Sequence, residues 1–492
     1  MKMDEQFTTP RLRIRTIGSG QVRSDGGYVL YWMTAARRLT WNFGLQHAVD
    51  RARDLGKPLL VLEALRCDYP WASDRLHAFV LKGMAEHAVR APGLPISYFP
   101  YVEAEKGAGR GLLATLAGES CAVVTDDFPA FFHPRMLRAA SCIPVLLEAV
   151  DSNGILPMRA AERVFTTAYA FRRFLQSELP HHLEQLPRAD PVEGVELKRL
   201  DQLPSTVTRQ WPQAGIDSLV NPDKTLRRLP IDHNVSAVGY RGGNDAAQER
   251  LVTFIDEDLD GYAGNRMVLV EEGTSRLSPY LHFGHVSSHQ IVDRILTREG
   301  WDRTLLGPQA DGRRSGWWGL SESVESFLDQ LITWRELGFN MCCQRQDFEE
   351  FESLPDWALK TLGEHAGDPR PHLYTLQELE SAATHDPLWN AAQVQLLREG
   401  RIHNYLRMLW GKKILEWTES PLLALEVMIE LNNKYAVDGR DPNSTSGIFW
   451  ILGRYDRAWG PERPIFGKVR YMSSENTARK MKTHDYLDKY SS

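Results

Sequence analysis

The sequence predicts an α/β amino-terminal domain with a doubly wound, Rossmann-like parallel sheet, followed by an all-α carboxy-terminal domain. Three observations predict it. Short apolar runs alternate with segments of helical spacing between residues 20 and 150. Helix-start signals dominate from about residue 240 onward. Between them, residues 151–235 are rich in proline and charge and only weakly periodic. The predicted boundaries are therefore 20–150, an interdomain connection at 151–235, and a helical domain at 236–490.

Each element has a local reason. Tyr28–Met33, Pro58–Leu65, Ile96–Val102, Ala122–Thr125 and Ile143–Val150 are short apolar runs. Asn42–Leu55 and Asp74–Arg90 carry helical spacing between them. Apolar strands alternating with helices imply a parallel sheet covered on both faces. No GxGxxG follows the first strand, so the dinucleotide fingerprint is missing. The connection carries one predicted helix, Ala160–Glu178. In the helical part, Ser287-x-x-Gln290 and Thr375-x-x-Glu378 have capping-box spacing. Asp386-Pro387, Ser420-Pro421 and Asp441-Pro442 each place a cap residue before a proline suited to the first helical position. Leu396–Trp417 reads as one amphipathic helix, and Leu305–Gly319 as an exposed loop.

Composition excludes several classes. The 492 residues are 42% hydrophobic and 25% charged, as expected of a globular protein. No apolar run approaches the roughly 18 residues of a membrane helix. Met1–Gly20 lacks the apolar core of a signal peptide, so a cytoplasmic location and no membrane partner are expected. Five cysteines without CxxC spacing argue against a disulfide framework, a zinc site or an iron–sulfur cluster, and no metal is expected. Net charge is −6, yet Arg398–Lys482 carries 15 Lys+Arg against 10 Asp+Glu. A locally basic face can bind phosphates, although a solvated surface has the same composition.

The chemistry-bearing residues each have a structural explanation when taken singly. Nine of the 14 tryptophans lie beyond residue 310. Trp410 and Trp417 are seven apart and share a helix face. Large aromatics at that spacing are ordinarily core; the functional alternative is a chain of oxidisable indoles serving a buried redox centre. Thr274–Ser278 precedes Pro279 and a helix start, where hydroxyls and free N–H groups suit a phosphate as well as a simple cap. Asp438–Asn443 is rich in turn formers.

Taken together, these pieces resemble the photolyase/cryptochrome family, and within it the class II cyclobutane pyrimidine dimer photolyases. The matching runs begin with Tyr28-Val-Leu-Tyr-Trp-Met33, Leu277-Ser-Pro-Tyr-Leu-His-Phe-Gly284, Ser326-Phe-Leu328 and Trp334-Arg-Glu-Leu337. The densest are Thr384-His-Asp-Pro-Leu-Trp-Asn-Ala-Ala-Gln393, Lys412-Lys-Ile-Leu-Glu-Trp417, Asp438-Gly-Arg-Asp-Pro-Asn443 and Arg463-Pro-Ile-Phe-Gly-Lys-Val-Arg-Tyr-Met472. The resemblance spans nearly the whole chain and is looser between residues 66 and 235.

The resemblance implies an antenna domain followed by a helical domain that binds FAD, active in its reduced form. It implies UV-damaged DNA as partner, a monomer, and a second antenna chromophore, deazaflavin or folate. Light-driven repair of a flipped-out dimer is the implied reaction, in which the cofactor carries the hard chemistry. By the same resemblance, Tyr262 and the loop Thr274, Ser275, Arg276, Leu277 and Ser278 hold the phosphates and ribityl chain. Arg335, Asn404 and Asp441 join them. Arg407 and Asp438 are expected to form an ion pair beside the flavin ring, which Asn432 faces. Trp389 and Trp410, with Trp417 near them, match the photoreduction chain. Trp334 and Trp450 match aromatics that pack on the dimer, beside Gln330 and Met408. Arg266, Arg440, Arg454 and Arg470 are expected to meet the DNA backbone.

Departures from the pattern bear on the lesion. Gln330 stands where many dimer photolyases have a glutamate, and an amide offers neither a negative charge nor an acidic proton. Glutamine resembles the (6-4) photolyase pattern, yet Asn404 and Met408 occupy the places of that group's paired histidines. Asn404 replaces a glycine common in class II, and Met267 breaks an Arg-Asn pair. Cyclobutane dimer repair is the expected function. The alternatives are a cryptochrome-like light receptor and (6-4) repair. The 20 residues after Met472 are shorter than the tails such receptors often carry.

Overall fold

The computed structural model describes residues 8–203, 205–270 and 273–491, so the start of the polar Met1–Gly20 stretch lies outside the described residues. The chain forms two compact units. One contains the chain up to Ala161 together with Glu178–Val252 and Arg276–Arg303; the other contains Glu162–Ser177, Thr253–Ser275 and the chain from Thr304 onward.

The first unit is built on a six-stranded sheet in the order β1-β6-β5-β2-β3-β4. The strands are β1 (Ile14–Ile17), β2 (Tyr28–Met33), β3 (Leu59–Leu65), β4 (Ser97–Val102), β5 (Ser120–Asp126) and β6 (Leu146–Val150). Five are parallel, and β1 alone runs antiparallel, pairing Ile14 with Val150 and Ile17 with Leu147. The sequence gives little sign of β1 because it is four residues long with Arg15 and Thr16 exposed, a short charged edge. In the other strands, successive side chains feed two cores. Leu30, Leu60, Leu62, Phe99 and Val123 line one face, and Val29, Tyr31, Val61 and Val124 the other. Helices Phe43–Leu55 and Asp74–Arg90 form as predicted, the first capped by Asn42, whose side chain accepts from the Leu45 N–H at 3.1 Å.

The strand order reverses between β2 and β5, where doubly wound sheets commonly take a phosphate. Here Asp126 at the end of β5 fills that place. Its Oδ2 accepts from the backbone N–H groups of Thr34, Ala35 and Ala36 at 2.8, 2.8 and 3.0 Å. A carboxylate of the chain itself satisfies these donors, which agrees with the missing glycine fingerprint.

The segment predicted as a connection is packed. Val207 and Trp211 join one sheet face, Val192 the other, and Leu219 and Leu226 cover the Asp74–Arg90 helix. Burying each such leucine contributes about 1.5–3 kcal/mol, which weak periodicity concealed. The helix predicted at Ala160–Glu178 runs Ala168–His182.

The second unit is mostly helical. Thr375 and Glu378 form the reciprocal capping box, and Asp386, Ser420 and Asp441 cap helices that begin with proline. Ser287, in the first unit, caps through the His289 N–H alone, because the Gln290 amide pairs with Gln248 instead. The single helix predicted over Leu396–Trp417 is two. Pro387–Glu399 ends at Gly400, which adopts φ 66°, and Asn404–Trp417 begins after an extended turn. A glycine reaches this left-handed stop without steric cost. Leu305–Gly319 is exposed only in part, since Trp317 and Trp318 are buried.

Candidate active site

A cavity of about 1380 Å3 opens in the helical unit. It exceeds the roughly 300–1,000 Å3 usual for one small ligand, so a large cofactor and part of a substrate fit together. Eight of the predicted site residues line it: Arg266, Gln330, Trp334, Asn404, Arg407, Met408, Trp450 and Arg470.

One wall is an irregular helix. Glu322–Leu328 continues as a π-helical segment, Asp329–Trp334, and then as Arg335–Gln344. The wide turn carries Gln330 and Trp334, and such bulges recur at functional sites. No residue pattern announced it. The Trp334 and Trp450 rings stack at 4.8 Å and 16°. Close approach of the two helices rests on Gly338, where a Cβ would lie 2.7 Å from the Pro442 carbonyl oxygen.

Among the described residues, two donors on other walls of the cavity lack protein partners. The Arg407 Nε and the Trp450 Nε1 are buried without a hydrogen bond. A buried unsatisfied donor costs about 1–3 kcal/mol, and both belong to residues that line the cavity. Arg266 donates to the Ser326 hydroxyl at 3.2 Å and lies over the Tyr262 ring. Cationic and amide donors around a large cavity fit a dinucleotide with a pyrophosphate and an acceptor-rich ring, so the residues present suit FAD.

The remaining predicted cofactor residues are placed as follows. Tyr262 is buried edge-on against Phe327, and burial raises its pKa. Arg335 is buried over Phe339. In the Thr274–Ser278 run, Arg276 holds a left-handed φ of 54° and Leu277 is buried. Asp441 caps its helix through the Asn443 N–H at 2.9 Å. Among the described residues no ion pair joins Arg407 to Asp438. Arg407 faces the cavity from its helix, while Asp438 is buried in the turn after the Pro421–Tyr435 helix.

Asn432 sits behind that turn, and its orientation is fixed. Its Nδ2 shares two hydrogens among three acceptors, the Gly439 carbonyl at 3.0 Å, the Ser444 hydroxyl at 3.1 Å and the Asn433 Oδ1 at 3.1 Å. A carbonyl only accepts, so the atom facing Gly439 must be the amide nitrogen, which leaves Oδ1 as the acceptor to offer elsewhere. Gly439 permits the approach, since a Cβ there would lie 2.5 Å from the Asn432 carbonyl oxygen.

Two arginines predicted to meet DNA are structural. Arg440 is buried and donates to the carbonyls of Asn433 and Val437, closing the end of the Pro421–Tyr435 helix. Arg454 is buried, donates to the Phe348 carbonyl at 2.7 Å and lies on the Phe449 ring. Burial pulls its pKa down to about 10. Sequence position showed their charge but not that backbone carbonyls consume it. Arg470 lines the cavity and pairs with Asp456 at 3.0 Å.

The tryptophans form a buried group. Trp389 donates from Nε1 to the Trp410 carbonyl, and Trp410 donates to Gln393, both at 2.9 Å. The Trp389 and Trp417 rings meet edge to face at 5.6 Å. Sequence reasoning missed the next ring. Tyr374, half-buried, lies 5.4 Å from Trp417, and its hydroxyl is 2.6 Å from the exposed His385 Nδ1. Lys412 is fully buried and donates to the Ile451 carbonyl, and burial lowers its pKa to about 7. Replacing Trp389 or Trp410 by phenylalanine is expected to slow light-driven reduction of bound flavin steeply. Phenylalanine keeps the bulk but resists oxidation, and each change removes one buried hydrogen bond, about 1 kcal/mol. Flavin absorbance under blue light with a thiol reductant measures this; an unchanged rate removes these residues from the relay.

Among the described residues, no group of three or more His, Cys, Asp or Glu is arranged to hold a metal, and no helix is long and apolar enough to cross a membrane. No protein-family model matches the chain. The fold is that of a photolyase. The structure resembles a bacterial class III photolyase from Agrobacterium tumefaciens with a TM-score of 0.67, covering 94% of this chain and 86% of that one at 15% identity. The sequence is 33% identical to the deoxyribodipyrimidine photo-lyase of Methanothermobacter thermautotrophicus over 97% of both chains. It is 33% identical to that of Arabidopsis thaliana, covering 97% of this chain and 92% of the plant protein. It is 32% identical to that of the marsupial Potorous tridactylus, covering 99% and 86%. The chain belongs to the deoxyribodipyrimidine photolyase family of light-driven DNA-repair enzymes.

Proposed function

We propose that this protein repairs cyclobutane pyrimidine dimers in DNA, using reduced FAD and light. The observation that carries the reading is the cavity itself, with the stacked Trp334–Trp450 pair and the unpartnered Arg407 and Trp450 donors on its walls. Reduced FAD, when bound, would supply the light-driven electron-transfer chemistry that splitting the cyclobutane ring requires.

The chain's own residues bind, orient and exclude water. The Arg407 guanidinium and the Asn404 amide would hold the cofactor at the cavity wall. Asn432 would offer its Oδ1 to the flavin edge, since its Nδ2 is committed to Gly439 and Ser444. Trp334 and Trp450 would pack on the flipped dimer while Gln330 and Met408 border it, and Arg266 would face the phosphates. Trp389, Trp410 and Trp417 would return the cofactor to its reduced state. An antenna chromophore, deazaflavin or folate, would belong to the α/β unit. The protein would act on cytoplasmic DNA as a monomer.

The test is repair of a dimer-containing oligonucleotide by reduced protein under blue light. Recovery of intact pyrimidines in light and not in darkness is expected; none in light removes the reading. Gln330→Glu is expected to raise the repair yield of cyclobutane dimers and leave (6-4) lesions unrepaired. Repair of (6-4) lesions by the parent protein, lost in Gln330→Glu, would favour the (6-4) reading of the amide.

A further inference from the structure

One feature of the helical unit goes beyond the site residues. The loop Leu305–Gly319 is glycine-rich and partly exposed, yet it is anchored along its length. The Glu325 carboxylate, 1% exposed, accepts from the backbone N–H groups of Gly316, Trp318 and Leu320, the last two at 3.0 and 3.2 Å. Gln176 accepts from the Gly312 N–H at 2.7 Å and donates to the Arg313 carbonyl at 3.0 Å. Trp317 and Trp318 are buried beneath the loop, edge to face at 5.1 Å. Desolvating a carboxylate is costly unless it is saturated with donors, and here its donors all come from one loop. The arrangement fixes the loop's tip.

That tip is Arg314-Ser315, and both residues are exposed and line the cavity. The neighbouring Arg313 is consumed by Asp311, with bonds of 2.8 and 3.0 Å. Among the described residues, the Arg314 side chain has no ion-pair or hydrogen-bond partner. The nearby carboxylates are also neutralised, Asp329 by Arg172 and Asp456 by Arg470. Among the described residues, exposed Glu322 is the one acidic residue of the cavity lining without an ion-pair partner. Two further elements of the wall present exposed cations: Arg457, which lies over the Trp459 ring at 4.7 Å, and Lys480 at the end of the Ser474–Lys480 helix. Cations on three elements of one cavity complement a polyanion.

We propose that the Arg314–Ser315 tip is a preorganised DNA-backbone contact that takes a phosphate flanking the lesion, the guanidinium and the Ser315 hydroxyl both donating to it. Ordering of the loop is complete before binding, so the contact adds affinity without an ordering cost. The inference rests on the DNA-repair reading above.

The test measures binding of dimer-containing and undamaged duplexes between 50 and 200 mM salt, for the parent and for Arg314→Gln, Arg314→Lys and Trp334→Ala. Loss of one phosphate contact reduces the slope of log K against log salt by about 1. Arg314→Gln is expected to lose that amount on both duplexes, and Arg314→Lys to restore it. Trp334→Ala is expected to keep the parent slope and lose preference for the lesion. A parent-like slope in Arg314→Gln overturns the assignment while the repair reading stands. A parent that binds neither duplex overturns both.

Discussion

Alanine at Trp334 or Trp450 is expected to weaken binding of dimer-containing DNA by about 5- to 150-fold, since base–aromatic stacking contributes about 1–3 kcal/mol per base. Undamaged duplex, whose bases stay in the stack, should lose little. The two rings are both half-buried, with their centroids 4.8 Å apart. Stacked layers lie about 3.4 Å apart, so a base between the two rings would need them about 6.8 Å apart. In this arrangement a flipped base is expected to meet an outer face of the pair. Phenylalanine at Trp334 retains a π-face and should recover most of the affinity. Competition binding with damaged and undamaged oligonucleotides measures the ratio. Equal losses on both would mean that the pair supports the fold and does not read the lesion.

The largest stability effect is expected at Glu63, in the middle of β3. Its carboxylate is fully buried and accepts from Arg37 at 2.9 Å and from the Tyr98 hydroxyl at 2.6 Å, and it lies 2.8 Å from His87 Nδ1. Burial by itself raises its pKa, but His87, Arg37 and the Tyr98 hydroxyl outweigh burial and hold it at about 2, below its ordinary 4.5. Removing one member of such a pair strands the others, at about 3–5 kcal/mol. Glu63→Ala should lower the urea midpoint accordingly. The pH dependence has a definite sign. A carboxylate with a depressed folded pKa contributes stability that is complete above its unfolded value and lost as pH falls. The parent should therefore lose stability between about pH 4.5 and pH 2, and Glu63→Gln should flatten that limb. An unchanged acid limb in the glutamine variant would assign the loss to other carboxylates.

The legible part of this protein is what obeys a period or a cap. The parallel strands alternate between two cores, and the caps at Asp386, Ser420 and Asp441 stand where a polar residue precedes proline. Of the candidate site, the sequence motifs named eight residues that line one cavity, Arg266, Gln330, Trp334, Asn404, Arg407, Met408, Trp450 and Arg470. Three kinds of feature were not legible. The π-helical turn under Gln330 has no compositional signal. The packing of Val192, Val207 and Trp211 on the sheet is a long-range event that weak local periodicity does not report. The fate of a cation depends on its surroundings: Arg440 and Arg454 have the same charge as Arg266 and Arg470, but backbone carbonyls surround them. A basic residue in the last turn followed by glycine, as Arg398 and Gly400 are, is an ordinary helix stop, and it divides a segment whose spacing reads as continuous.

That division has a mechanical consequence. Asn404, Arg407 and Met408 sit on the opening turns of the second helix and line the cavity, while Trp389 belongs to the first helix, and Trp410 and Trp417 to the second. The bond from the Trp389 indole to the Trp410 carbonyl spans the break. The two segments are therefore held in register by a side-chain tie and not by a continuous backbone ladder.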